Sequence, residues 1–104
     1  MVLYTMKWNI HPDKTEEYMA WAKGAIQRTL GVGDVIELRA YRPASGVFQV
    51  VLTLEFADMA AWSNWYSTEV VQTVFVEMRT LTTNATTELW GPSPVVPQPI
   101  RPGG

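Results

Sequence analysis

With 104 residues, 47% of them apolar, the chain is long enough to bury one core and too short for two domains. Eight Lys and Arg against ten Asp and Glu leave a formal charge of −2 without charge runs, so neither nucleic acid nor an anionic membrane is an expected partner. The absence of cysteine excludes disulfides, thiol catalysis and a thiolate metal site, and a single histidine leaves no expected metal site at all.

The opening MVLYTMKWNIHP places Val2, Tyr4, Met6, Trp8 and Ile10 on one face and Leu3, Thr5, Lys7 and Asn9 on the other. That alternation predicts a half-buried strand over Val2–Ile10 and resembles neither a signal peptide nor a membrane-spanning helix, so a cytoplasmic protein is expected. Asp13 followed by Glu16 signals a helix start. Tyr18, Trp21, Ala22, Ala25 and Thr29 then fall on one stripe, which predicts a helix from Lys14 to Leu30 with Gly31 as its left-handed cap. Val35–Arg42 alternates as a second strand, and Pro43 to Gly46 reads as a turn. Val47–Phe56 has the cleanest alternation in the chain and predicts a central strand.

Asp58 is placed to cap a short helix that contains AWSNWYS, Ala61–Ser67. Ser67 or Thr68 caps the next helix, whose Val71, Val74, Phe75, Met78 stripe reaches Leu81. Thr82–Trp90 is a fourth strand. The remainder, GPSPVVPQPIRPGG, carries five prolines and reads as an extended arm over 91–104, separate from the domain over 1–90. A packing arm or loose terminus is favoured there over a P-x-x-P recognition motif.

The order strand, helix, strand, strand, helix, strand predicts an α+β, ferredoxin-like βαββαβ fold: a four-stranded antiparallel sheet with the helices on one face. On LEFADMAAWSNW, STEVVQTVFVEMRTL and the closing TTELW, the chain resembles the dimeric α+β barrel superfamily, in particular its antibiotic-biosynthesis-monooxygenase-like members. The resemblance implies a homodimer joined through the sheet faces, with small molecules bound between each sheet and its helices. It also accounts for the second sheet face, where Leu3, Val35, Tyr41, Val47 and Val51 are too apolar for water while Lys7, Glu37, Arg39, Glu55 and Glu88 are too charged for a dry core. The plain alternative is a monomer with one wet sheet face.

Candidate site residues follow from the same topology. Trp62, Trp65 and Tyr66 share a helical face and converge with Tyr4 at one end of the sheet, whereas Asn64 points away from Trp62. Core packing is the favoured reading of that stretch, with one or two side chains at most reaching a ligand. Ala22 and Ala25, beside Gly24, either permit close helix packing or leave a cavity under the first helix, and the wall of such a cavity would include Tyr4, Met6, Trp8, Tyr18, Trp62 and Phe75. Tyr4, Trp8, Tyr18, Trp62, Trp65 and Tyr66 are the candidate contacts to an apolar or aromatic ligand. Cofactor-free oxygenases of the resembling family use Asn, Trp and Arg near a bound polyketide, which Asn64, Trp65 and Arg79 match in residue type and element. Arg79 is equally placed as a cation at a helix C-terminus. His11, about 25 Å of strand away from the aromatic stretch, reads first as a loop residue and second as a general base. The expected function is a homodimeric small-molecule-binding barrel without a cofactor, with cofactor-independent monooxygenase or isomerase activity left open, set against a noncatalytic dimeric module with no ligand.

Overall fold

The computed structural model describes residues 1–103. Strand β1 (Val2–Ile10) lies between β3 (Val50–Phe56) and β4 (Thr82–Trp90), with β2 (Glu37–Tyr41) on the outer edge beside β3, so the order is β2-β3-β1-β4 and every pairing is antiparallel. This is the ferredoxin-like arrangement expected from the element order. The β1–β3 register runs from Val2 opposite Phe56 to Trp8 opposite Val50, so the apolar sets of both inner strands face the same side. On the other flank the register between Lys7 and Asn9 takes one extra residue of β4, and Asn84 sits there with φ 56°, a left-handed conformation that asparagine tolerates better than most residues.

Three helices cover that apolar side: α1 (Thr15–Gly31), α2 (Met59–Tyr66) and α3 (Glu69–Leu81). Asp58 accepts the Ala61 N–H and Thr68 accepts the Val71 N–H, as the two caps require. A 3₁₀ turn, Pro12–Lys14, precedes α1, and its cap is His11, whose Nδ1 accepts the Asp13 N–H at 3.1 Å. The left-handed residues after α1 are Gly33 (φ 98°) and Asp34 (φ 70°), while Gly31 remains helical; the reversal comes two residues later than expected.

Both middle strands are shorter than their alternation suggests. β3 begins at Val50 because β1 stops pairing at Trp8 and β2 stops at Tyr41, so Val47 has no ladder to join and is 76% exposed. Beyond Trp90, residues 91–103 contain neither helix nor strand, and Ser93 Oγ accepts the N–H groups of Val95 and Val96. Among the described residues no helix is long and apolar enough to cross a membrane.

The core centres on Phe56, at 0% exposure, and Trp65, at 1%, whose ring centroids lie 5.2 Å apart. Burying a ring system of that size removes roughly 150–250 Å² from water, about 4–6 kcal/mol at the usual ~25 cal per Å². The Trp65 indole N–H donates to the Thr29 carbonyl at 3.0 Å, so its one polar atom is satisfied and α2 is tied to α1. Trp65→Ala therefore costs about 3–5 kcal/mol of stability in urea denaturation; a loss below about 1 kcal/mol would contradict this placement of the core.

Candidate functional site

The space beneath α1 follows from the side chains that α1 turns toward the sheet. Tyr18 and Trp21 are large, and Ala22 and Ala25, next along the same stripe, are too small to reach the strands. The result is a pocket of about 200 Å³. Its floor is Met6 and Trp8 of β1, Leu38 and Ala40 of β2 and Val50, Leu52 and Leu54 of β3. Its far wall is Trp65 of α2 with Val74, Phe75 and Met78 of α3. Half-exposed Trp21, Ala22, Ile26 and Leu38, with exposed Ala40, also line it, which puts the mouth between α1 and the edge strand β2. Gly24 contributes nothing, because it is exposed and a Cβ placed there would meet no atom within 4 Å.

Hydrogen bonds of three tryptophans frame this space. Trp8 Nε1 donates to the Tyr18 hydroxyl at 3.0 Å, Trp65 Nε1 to the Thr29 carbonyl at 3.0 Å, and Trp21 Nε1 to Glu77 Oε1 at 2.8 Å. Thr29 donates its own hydroxyl to the Ile26 carbonyl at 2.8 Å. Burial pushes the Tyr18 hydroxyl above its ordinary value of 10.0, and the Trp8 donor offsets part of that shift, so the group stays protonated at neutral pH. No Asp, Glu, Lys, Arg or His lines the pocket. Outside the wall, Glu77 binds both the Arg28 guanidinium and the Trp21 indole, which in that order hold its carboxyl below the usual 4.5.

Of the residues singled out from the sequence, Trp8, Tyr18 and Trp65 line the pocket, along with Met6 and Phe75. Tyr4, Trp62 and Tyr66 form a second aromatic group beside it: Trp62 and Tyr66 stack with centroids 4.9 Å apart, and Tyr4 packs on Trp62 at 5.7 Å. The AWSNWYS stretch is thus divided, with Trp65 in the pocket wall and Trp62 and Tyr66 stacked on each other. Asn64 and Arg79 are exposed and line no part of the pocket. His11 is engaged at the 3₁₀ turn and its N–H donates to the Leu81 carbonyl, which sets it at the C-terminal end of α3. Leu38, Ala40 and Ile26 went unanticipated as lining residues. The alternation around Leu38 and Ala40 marked their shared face, but only the strand order carries that face under α1. Among the described residues no group of three or more His, Asp or Glu side chains is placed to hold a metal ion.

The opposite sheet face carries a shallow groove lined by Leu3, Thr5, Lys7, Glu37, Arg39, Tyr41, Val51, Thr53, Glu55 and Trp90 with Met1. Lys7 pairs with Glu88 at 3.8 Å and Arg39 with Glu37, while Glu55 makes no ion pair among the described residues. Thr5 is only 1% exposed there, and its hydroxyl has no partner.

No protein-family model matches the chain, and no curated protein sequence matches it either. Solved structures do. A DABB-family protein with a ferredoxin-like fold from Mesorhizobium loti matches with a TM-score of 0.76 at 16% identity over 88% of this chain and 96% of that one. An antibiotic biosynthesis monooxygenase matches with a TM-score of 0.74 at 15% identity over 90% and 100%. SnoaB, a cofactor-independent oxygenase from Streptomyces nogalater, matches with a TM-score of 0.71 at 14% identity over 93% and 97%. At such identities the likeness establishes the fold, which is that of the antibiotic-biosynthesis-monooxygenase-like proteins the sequence resembles.

Because the folded Glu77 carboxyl titrates below its unfolded value, its bonds to Arg28 and Trp21 stabilise the fold above about pH 4.5 and are lost as the pH falls through the lowered value. In ¹⁹F NMR of protein labelled with 5-fluorotryptophan, the Trp21 resonance moves over that acid range. The step is absent from Glu77→Gln, and a resonance indifferent to acid in the unsubstituted protein would refute the coupling.

Proposed function

We propose that this chain is a homodimeric binding protein for a small apolar or aromatic molecule, held between α1 and the sheet, with two copies meeting through their open sheet faces. The observation that carries the reading is the pocket itself. A domain of this size ordinarily packs its interior with few voids larger than water, yet about 200 Å³ stays open here among apolar and aromatic side chains. For scale, an apolar cavity of roughly 150 Å³ stays dry and takes up benzene. An uncharged wall that opens at an edge strand suits an apolar guest, which gains from leaving water, and penalises an ion.

The dimer draws support from the other face. Thr5 is buried with an unpartnered hydroxyl on a surface that also carries Leu3, Val51 and exposed Tyr41, and buried polar groups are normally paired. A second copy laid on this groove supplies apolar cover and partners together. Lys7 and Arg39 are already paired there, and Glu55 is the one groove charge outside an ion pair among the described residues, which favours a self-contact over a strongly charged partner.

The name of one matched structure, a cofactor-independent oxygenase, supports oxygenase chemistry as a second reading. In this pocket the single titratable side chain is Tyr18. Oxygen consumption in the presence of a bound ligand tests that reading separately.

In sedimentation equilibrium the protein runs at twice its chain mass of 11.7 kDa. Val51→Arg, which sets a second cation opposite Lys7, weakens that dimer by about tenfold or more, or ~1.4 kcal/mol. Two-ring aromatic compounds quench the tryptophan emission saturably, and Ala25→Phe, which fills the pocket, removes the quenching. A monomer would sink the interface half of the proposal, and quenching that survives in Ala25→Phe would sink the pocket half.

A further inference from the structure

We infer that the pocket selects an uncharged aromatic molecule of one or two rings bearing a hydrogen-bond acceptor, and that the Tyr18 hydroxyl is the group that recognises that acceptor. The inference rests on the reading of this pocket as a binding site and specifies what it takes.

The size limit comes from the volume. About 200 Å³ exceeds the roughly 150 Å³ that accommodates benzene by an amount suited to a second fused ring, not a third. The polar specification comes from a census of donors and acceptors at the wall. The Trp8, Trp21 and Trp65 indole N–H groups are each committed to a protein acceptor, and the Thr29 proton is committed to the Ile26 carbonyl. Tyr18 differs. Its oxygen accepts from Trp8, which leaves its own O–H as the one donor at the pocket wall without an acceptor among the described residues, on a side chain only 6% exposed. An indole cannot accept in return, so the Trp8 contact fixes the direction of the pair and turns the phenol proton elsewhere. Accepting a hydrogen bond also strengthens the phenol as a donor.

Charge is excluded by the same census. No ionised side chain lines the pocket, and the nearest pair, Glu77 and Arg28, neutralise one another behind Trp21. An ionised guest would lose its hydration and find no counter-charge. Trp8 acts here as a positioning residue, because it touches Tyr18 and sets which way the hydroxyl points.

The test is a titration of the full-length protein with four related probes, followed by tryptophan emission. Quinoline has two rings and one acceptor, naphthalene is its counterpart without the acceptor, N-methylquinolinium is permanently cationic, and acridine extends quinoline by a ring. The expected order is quinoline about tenfold tighter than naphthalene, with N-methylquinolinium and acridine each at least about tenfold weaker than quinoline. Tyr18→Phe brings quinoline to within about twofold of naphthalene. Trp8→Phe narrows the same gap without closing it. Should Tyr18→Phe fail to fold, ¹³C NMR of tyrosine labelled at the carbon bearing the hydroxyl reads the contact in the unsubstituted protein: the Tyr18 signal shifts with quinoline and stays with naphthalene. Equal affinity for quinoline and naphthalene, or an unmoved Tyr18 signal, overturns the inference and leaves the binding reading intact. Acridine or the cation binding as tightly as quinoline overturns the size or charge limit. Failure of both quinoline and naphthalene to bind overturns the binding reading, and this inference with it.

Discussion

The structure depends on the way α1 is held off the sheet. Two indole hydrogen bonds reach it from opposite directions, Trp8 of β1 to the Tyr18 hydroxyl near its start and Trp65 of α2 to the Thr29 carbonyl near its end. A third, Trp21 to Glu77, ties it sideways to α3. Large rings at these contacts act as spacers, because an aromatic side chain cannot be compressed and a buried indole N–H is normally paired, as these three are and as that of Trp62 is not. Between the supports α1 offers only Ala22 and Ala25 to the strands. Collapse onto the sheet would require breaking buried hydrogen bonds, so the gap persists as a pocket in a core that is otherwise filled.

The same arrangement explains why the two aromatic groups have different characters. Trp65 and Phe56 are sealed where α2 crosses the end of the sheet, and Trp65 shares one face with the core and another with the pocket. Trp62 and Tyr66, on the same helix, stack on each other and pack on Tyr4, with Tyr66 also reaching Phe75 at 5.7 Å. Stacking there closes the bottom of the domain. Ring content by itself does not mark a ligand site; the site arises where rings border small residues.

Much of the fold was legible because its periods are unambiguous. The strict alternation from Val2 to Trp8 and from Val50 to Phe56 can be satisfied only by half-buried strands, and the Tyr18, Ala22, Ala25, Thr29 spacing only by a helix. The limits of elements were less legible. Val47 and Val35 continue an alternating pattern, but a strand ends where its neighbour ends, and neighbours are distant in sequence. Gly31 carried the residue type of a helix cap, yet the chain stayed helical through it and reversed at Gly33, a choice set by where the turn must deliver β2. Part of the candidate site was legible too. Trp8, Tyr18 and Trp65 were named from spacing, whereas Leu38 and Ala40 enter the pocket through strand order.

By itself, then, the sequence determined the element types, the ferredoxin-like order and the presence of small residues facing the sheet from α1, because these are set by local periodicity and residue volume. Composition determined that the site has no thiolate to draw on, because the chain has no cysteine. Tertiary structure alone decided that the gap stays open, that every indole at its wall is committed, and that Tyr18 retains a free donor. Hydrogen-bond partners such as Trp8 and Tyr18, Trp21 and Glu77, or Trp65 and Thr29 are separated by 10, 56 and 36 residues. No local pattern encodes such a pairing; it exists only once the sheet and helices have brought the partners within bonding distance.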